Sequence, residues 1–253
     1  MYTLKKSLGQ HFLRDENFCR KIVAAIQQYP LSHLLEVGPG AGALTKYLLK
    51  IEKINFKAVE LDSEKVEFLK KAYPSLQDKI IQGNFLDMEK PFAGKFMVVG
   101  NFPYNISSQI LFKILYWKEY VPGLVGMFQK EVALRITAKE GNKVYGVLSV
   151  LVQAFYETEY LFEVHEKSFN PPPKVKSAVL RLRIKTRPLT IDNEKNFFLL
   201  VKTAFNQRRK TLRNAVKNLF DEAVLKEAIF GQRAEQLSVD DFAQLTRRMS
   251  RTL

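Results

Sequence analysis

The hexapeptide Gly100-Asn101-Phe102-Pro103-Tyr104-Asn105 carries residue types suited to holding a flat base that bears an amino group. It follows the apolar run Phe96-Met97-Val98-Val99 and precedes a helix predicted from Ser107. Asn101, Pro103 and Tyr104 then lie on the loop at the C-terminal end of a strand, the edge at which open α/β sheets bind ligands. The Asn101 side-chain oxygen can accept one N–H of an exocyclic amine. A backbone carbonyl beside Pro103 can accept the other, because proline fixes the local chain direction. Tyr104 offers a ring on which the base can stack. The same residues also read as a strand followed by ordinary polar turn chemistry.

A second group of residues suits a nucleotide-like ligand. The stretch Leu34-Leu35-Glu36-Val37-Gly38-Pro39-Gly40-Ala41-Gly42-Ala43-Leu44-Thr45 reads as a short strand, a glycine-rich turn and a helix running to about Lys50. Glycines let the backbone turn sharply and let a ligand approach the main chain. The spacing Gly38-x-Gly40-x-x-Ala43 is also compatible with a dinucleotide fingerprint. The next strand, Phe56–Glu60, ends in an acid 22 positions after Gly38, the separation at which a carboxylate reaches ribose hydroxyls in such folds. A strand over Lys79–Gln82 leads to Gly83-Asn84-Phe85, where Asn84 can bond an adenine-like edge and Phe85 can cover its face. A loop asparagine and a core phenylalanine explain that pair equally well.

The elements that must position these groups alternate strand and helix. A helix begins at Asp15, with Phe18, Ile22, Val23 and Ile26 at helical spacing, and ends near Pro30. Helices follow at Glu64–Lys71, at Ile110–Trp117, at Glu131–Thr137 and over Tyr145–Tyr156, with a strand at Leu124–Gln129. The alternation argues for an α/β fold with a mostly parallel sheet and helices on both faces. Past Pro188 strand signals stop, and apolar residues recur at helical spacing. The expected organisation is therefore a domain over 1–186, including a basic N-terminal arm, and a small all-helical domain over 187–253.

Charge points to a polyanion. The 253 residues hold 40 Lys+Arg against 26 Asp+Glu, a formal charge of +14, with 46% hydrophobic residues to build a core. Seven Lys/Arg and no acid lie between Lys167 and Ile191, around the stiff segment Phe169-Asn170-Pro171-Pro172-Pro173-Lys174. Phe169 is a candidate second stacking surface. The strand Ala178–Ile184 alternates apolar residues with Arg181 and Arg183, which predicts one buried and one cationic face. Six more basic residues and no acid lie from Lys202 to Lys217, including Arg208, Arg209, Lys210 and Arg213. They are interleaved with Asn, Gln and Thr, the side chains that contact phosphate and sugar. A single cysteine, Cys19, allows no intrachain disulfide and reads as packing. The three histidines are far apart and exclude ordinary zinc spacing. No apolar leader or membrane-length stretch is visible, so a cytoplasmic protein is expected.

Taken together, Gly9-Gln10-His11-Phe12-Leu13, Glu36-Val37-Gly38-Pro39-Gly40, Asn101-Phe102-Pro103-Tyr104-Asn105-Ile106, Phe169-x-Pro171-Pro172-Pro173-Lys174-Val175-x-Ser177 and Phe205-Asn206-Gln207-Arg208-Arg209-Lys210-Thr211 resemble the ribosomal RNA adenine dimethyltransferases of the small-subunit type. The match runs in order over nearly the whole chain. It implies a Rossmann-like class I methyltransferase fold with S-adenosylmethionine as methyl donor. It also implies transfer to N6 of two neighbouring adenines in small-subunit rRNA, with that rRNA and the immature small subunit as partners. Naked RNA and an assembled particle both stay open as the substrate, and since nothing in the sequence demands a dimer, a monomer is expected. Carried over, Gly38 and Gly40 lie against the cofactor, Glu60 binds its ribose, and Asn84 with Phe85 holds its adenine. His11 and Leu13 line its methionine side. Asn101, at the cofactor's edge, binds the target amine with Pro103, and Tyr104 and Phe169 sandwich the flipped base. Lys174, Arg181, Arg183 and the Phe205–Thr211 stretch, expected as a helix, grip the RNA backbone. The chain departs from the family pattern at Asn84, where Asp is usual, at His11, where Asn is frequent, and at Phe102, where Leu or Ile is frequent.

Other readings remain at this level. A large-subunit rRNA adenine methyltransferase of the resistance type shares the Asn101 loop. A nicotinamide-dependent dehydrogenase would use the Gly38 turn and Glu60 but leaves Asn101–Tyr104 idle. A non-catalytic assembly factor would account for the charge and not for the ligand loops.

Overall fold

The computed structural model describes residues 11–30, 32–187 and 189–250; Lys5, Lys6, Gly9 and Gln10 of the arm lie outside them. The arm enters as β1 (Phe12–Leu13), followed by α1 (Glu16–Ile26). Asp15 caps α1 by accepting from the Asn17 N–H at 3.0 Å, and Cys19, Ile22, Val23 and Ile26 form its buried stripe. Burial pushes the Cys19 thiol up to about 12, with Glu16 adding to the shift, so it is an inert packing group. Next come β2 (His33–Val37), α2 (Thr45–Leu48), β3 (Asn55–Glu60), α3 (Ser63–Ala72) and β4 (Ile80–Gln82). They are followed by β5 (Met97–Asn101), α4 (Ser107–Tyr116), β6 (Gly123–Gln129), α5 (Lys130–Thr137) and α6 (Val147–Phe155). The chain continues through β7 (Tyr156–Val164), β8 (Phe169–Asn170), β9 (Ser177–Ile184), α7 (Glu194–Asn206), α8 (Leu212–Ala215), α9 (Glu222–Leu225) and α10 (Val239–Thr246).

Seven strands form one sheet in the order β4-β3-β2-β5-β6-β9-β7. The first five pair in parallel, with Val37 opposite Val59, Glu36 opposite Val99, and Asn101 opposite Met127. Strand β9 runs antiparallel to β6. The chain builds outward from β2 to β4 on one side, then crosses back to lay β5 and β6 on the other. The order reverses between β2 and β5, which opens a crevice outside their C-terminal ends. Every loop singled out for ligand chemistry, after β2, β3, β4 and β5, emerges at that edge. This is the class I methyltransferase fold with its mostly parallel sheet.

Three expectations change. Strand β7 was not expected as a strand, although Tyr156, Thr158, Tyr160, Phe162 and Val164 recur in the period of a strand, with Glu157, Glu159 and Glu163 at three of the four positions between them. Strand β9 does not have one buried and one cationic face: Ser177 to Leu180 are all buried, so both faces of its first half are covered. Its Arg181 is paired with Glu159 of β7 at 2.9 Å through Nε, and is bonded to Gln28. The Phe205–Thr211 stretch is not a helix. Helix α7 stops at Asn206, a turn closes with the Lys210 N–H donating to the Gln207 carbonyl at 2.8 Å, and Thr211 opens α8.

The chain divides into two compact units, one of Met1–Ala133 with Glu159–Ile184 and the other of Leu134–Thr158 with Lys185–Leu253. In the second, α6, α7 and α10 pack around buried Phe197, Leu200, Val201, Phe242 and Leu245. Ser238 and Asp241 form a reciprocal cap at the start of α10, and Asn193 caps α7. Among the described residues no helix is long and apolar enough to cross a membrane, and no group of three His, Cys, Asp or Glu could hold a metal ion.

Candidate functional site

A cavity opens at the sheet edge. Its wall brings together His11 and Leu13 of the arm, Gly38 and Gly40, Glu60, Asn84 and Phe85, and Asn101, Pro103 and Tyr104. Residues from the arm to the Asn101 loop thus meet as the sequence predicted.

The glycine turn needs its glycines. Gly38 and Gly40 have φ of 69° and 58°, the left-handed region that side chains avoid. A Cβ on Gly40 would also stand 2.9 Å from the Phe12 ring. The main chain therefore faces the cavity bare, with Phe12 of the arm laid across it. Lys65 of α3 holds that ring: its buried ammonium lies 4.9 Å from the Phe12 centroid and 3.8 Å from the Asp62 carboxylate.

Glu60 is 7% exposed and held at both oxygens. One accepts from the Gly40 N–H and the other from the Asp62 N–H, each at 3.0 Å. Each oxygen keeps further acceptor capacity, which fits a vicinal diol. Deeper in, Glu36 is 1% exposed and accepts from the Thr45 hydroxyl at 2.7 Å. Burial pushes its carboxyl up to about 8, partly opposed by the Thr45 bond and aided by the nearby Glu60 charge. The glycine motif contains Glu36, but residue type and spacing alone assign it no role.

At the far wall, the Asn84 amide is fixed by its neighbours. Its Nδ2 donates to Asp87 at 2.7 Å and its Oδ1 accepts from the Leu86 N–H at 3.1 Å. Asp87 can only accept and a backbone N–H can only donate, so this amide has one orientation. Phe85 lines the cavity but is only 4% exposed, and it packs edge-on against Trp117 at 5.5 Å. Leu61, 54% exposed, supplies the open apolar wall instead. Sequence reasoning missed Leu61, although its place directly after the Glu60 strand end was a usable signal.

At the target loop, Asn101 ends β5 and donates through Nδ2 to the His11 carbonyl at 3.0 Å. The Pro103 carbonyl accepts from the Ile106 N–H at 3.3 Å, while the Phe102 N–H goes to the Met127 carbonyl at 3.2 Å. Tyr104 shares a hydrogen bond with the Ser177 hydroxyl and stacks on His11, centroids 5.7 Å apart. Its phenol is raised above the usual range by burial, against the opposing Ser177 bond, and so stays neutral. Phe169 does not line the cavity. It is 4% exposed in the apolar cluster with Leu13, Val164 and Val179, held there by the pairing of β8 with β1.

The cations divide by surroundings. Lys174, Arg183, Arg209, Lys210 and Arg213 are exposed. Arg181 is engaged by Glu159, Arg213 donates to the Leu225 carbonyl at 2.7 Å, and Arg208 lies 3.5 Å from Glu235. Arg209 and Lys210 stand on the loop between α7 and α8.

A family model described as ribosomal RNA adenine dimethylase matches residues 1–250. The chain belongs to the ribosomal RNA adenine dimethylase family. It is 51% identical over 250 residues to the ribosomal RNA small subunit methyltransferase A of Cytophaga hutchinsonii, covering 97% of each chain. It is 52% identical over 255 residues to the protein of the same name from Bacteroides thetaiotaomicron, covering 98% of this chain and 95% of the relative. A dimethyladenosine transferase from Plasmodium falciparum superposes with a TM-score of 0.78 at 25% identity, over 94% of this chain and 99% of that one. The 23S rRNA methyltransferase ErmE shares the fold, with a TM-score of 0.73 at 24% identity, over 95% and 100% of the two chains. The cofactor of this dimethylase family is S-adenosylmethionine. The cavity fits it on chemical grounds: an anchored carboxylate for the ribose diol, a bare glycine turn, and the open face of Leu61 for a flat base.

Proposed function

We propose that this protein methylates N6 of two adjacent adenines in a hairpin loop of small-subunit rRNA, giving N6,N6-dimethyladenosine during subunit assembly in the cytoplasm. Bound S-adenosylmethionine supplies an electrophilic methyl group. Glu60 holds its ribose, Gly38 and Gly40 admit its backbone-facing side, and Asn84 with Leu61 receives its adenine. His11 and Leu13 close the methionine end.

The observation that carries the reading is the placement of Asn101. Its amide nitrogen is directed to the His11 carbonyl, so its oxygen is the end left for a target amine. The second amine hydrogen goes to a main-chain carbonyl of the Phe102–Pro103 turn, which keeps a free lone pair. The adenine amine is a poor nucleophile because its lone pair is delocalised into the ring, and two acceptors hold its hydrogens so that the pair localises on N6 and faces the methyl carbon. This is positioning rather than acid–base work. Tyr104 offers the stacking face, and Phe169 reaches the base only if its ring leaves the apolar cluster. Lys174, Arg183, Arg209, Lys210 and Arg213 face the RNA backbone, with Arg208 and Arg181 supporting them from ion pairs. The protein acts as a monomer on the immature particle.

The test is to incubate the protein with immature small subunits and labelled S-adenosylmethionine, digest the RNA and identify the nucleoside. Labelled N6,N6-dimethyladenosine is expected from the small subunit and not from large-subunit RNA. Asn101→Ala should abolish transfer with RNA affinity nearly unchanged. A fully active Asn101→Ala protein would refute the role given to that residue.

A further inference from the structure

A primary amide has nearly the same shape whichever way it faces, yet one end only accepts and the other only donates. A residue that must accept from an amine therefore needs something to hold its nitrogen away. Nothing on the Asn101 loop does this. The group that meets the Asn101 nitrogen is the His11 carbonyl, 90 positions earlier in the chain, at 3.0 Å.

That carbonyl is itself placed by several contacts. Strand β1 pairs antiparallel with β8, with Phe12 opposite Asn170 and Leu13 opposite Phe169. The Arg14 N–H donates to the Ser168 carbonyl at 2.8 Å. The His11 ring lies 2.8 Å through Nδ1 from the Pro171 carbonyl and stacks on Tyr104 at an interplanar angle of 27°. A carbonyl can only accept, so Nδ1 carries the hydrogen. The ring thus ties the arm to both the proline segment and the target loop, and the His11 carbonyl points at Asn101 as a consequence.

We propose that His11 is a positioning residue for the methyl-transfer site: by fixing its own carbonyl against the Asn101 amide nitrogen, it commits the Asn101 oxygen to the target amine. The arm then sets the polarity of the site as well as walling the cofactor cavity. A flipped amide would oppose two oxygens at the arm and present N–H groups to an amine, which can bond neither. The inference rests on the reading of Asn101 as the acceptor for the target.

The experiment uses the full-length protein labelled with ¹⁵N-asparagine, the Asn101 side-chain signal being assigned by its loss in Asn101→Asp. Three proteins are compared: wild type, His11→Gly, and His11→Asn, which keeps a donor for the Pro171 carbonyl. In His11→Gly the Asn101 NH₂ signals should move toward free-amide positions and exchange faster with water. Its kcat at saturating cofactor should fall roughly ten-fold, about 1.4 kcal/mol by the rate relation, with a smaller change in cofactor Kd. His11→Asn should restore both the signal and kcat. If the Asn101 signals of His11→Gly coincide with wild type, or if its whole defect lies in cofactor Kd, the inference is overturned. Activity of Asn101→Ala separately decides the underlying reading: an active protein there removes the role of Asn101, whatever the spectrum says about the His11 bond.

Discussion

Two buried acids at the cavity differ in their partners. Glu60 has each oxygen met by a backbone N–H group. Glu36 has one hydroxyl partner, and its carboxyl is pushed up to about 8 from 4.5. Between those values the folded protein holds a proton that the unfolded chain has released, so stability falls as pH rises through that window. Glu36→Gln removes the titration. In cofactor-free protein its Tm advantage over wild type should grow by several degrees between about pH 5 and pH 8, an effect on the order of a few kcal/mol. A difference that stays constant with pH would show that Glu36 is not held neutral. A second residue-scale prediction concerns Asn84. Asp87→Ala frees its amide to rotate, and calorimetry should find S-adenosylmethionine bound several-fold more weakly. Unchanged affinity would mean that Asp87 does not orient Asn84 for the ligand.

At the scale of elements, the target loop is seated by the neighbouring strand. Phe102 is 1% exposed, and its ring lies over Gly126 of β6, where an added Cβ would come within 2.1 Å. The ring also packs against Phe128, centroids 5.0 Å apart. Asn101 and Pro103, on either side, are thereby held by an apolar plug with no room to shift. Gly126→Ala should cost about 1–3 kcal/mol through overpacking and should lower kcat by displacing the loop. Phe102→Leu, which shortens the plug, should recover much of both in the double variant. Thermal melts and kcat on the four proteins of that cycle check it, and a fully additive double variant would sink the idea that ring and glycine are matched.

At the scale of the whole molecule, a formal charge of +14 is distributed unevenly in its availability. Arg181 is held by Glu159, and Glu163 holds both Lys130 and Lys176, which lowers its carboxyl to about 2. Arg209 and Lys210 are exposed on the α7–α8 loop. Deleting a cation that neutralises a phosphate should reduce the salt dependence of RNA binding by roughly one unit of slope. The double variant Arg209→Ala/Lys210→Ala should therefore flatten a plot of log K against log salt by about two units, while Arg181→Ala should leave the slope unchanged. Equal flattening by both would mean that the Glu159 pair opens on RNA.

Much of this was legible in the chain. The strand–helix alternation, the glycine turn, the Glu60 strand end and the Asn101 loop are local patterns, and a parallel sheet carries every such loop to one edge. The family motifs added the cofactor and the class of substrate. Strand β7 carries a legible alternation too, but no expectation was drawn for residues 157–164. What local patterns could not decide were matters settled by partners far along the chain. Which arginine is engaged depends on a glutamate 22 positions away, and Lys65, unlike Lys70 and Lys71 of the same helix, is buried, where Phe12 and Asp62 meet it. The orientation of the Asn101 amide depends on a carbonyl 90 positions away. Residue type and spacing determine which elements form and where their loops emerge, because those are local preferences repeated along the backbone. The direction in which a buried polar group faces is decided by the single acceptor or donor packed against it, and only the tertiary structure supplies that neighbour.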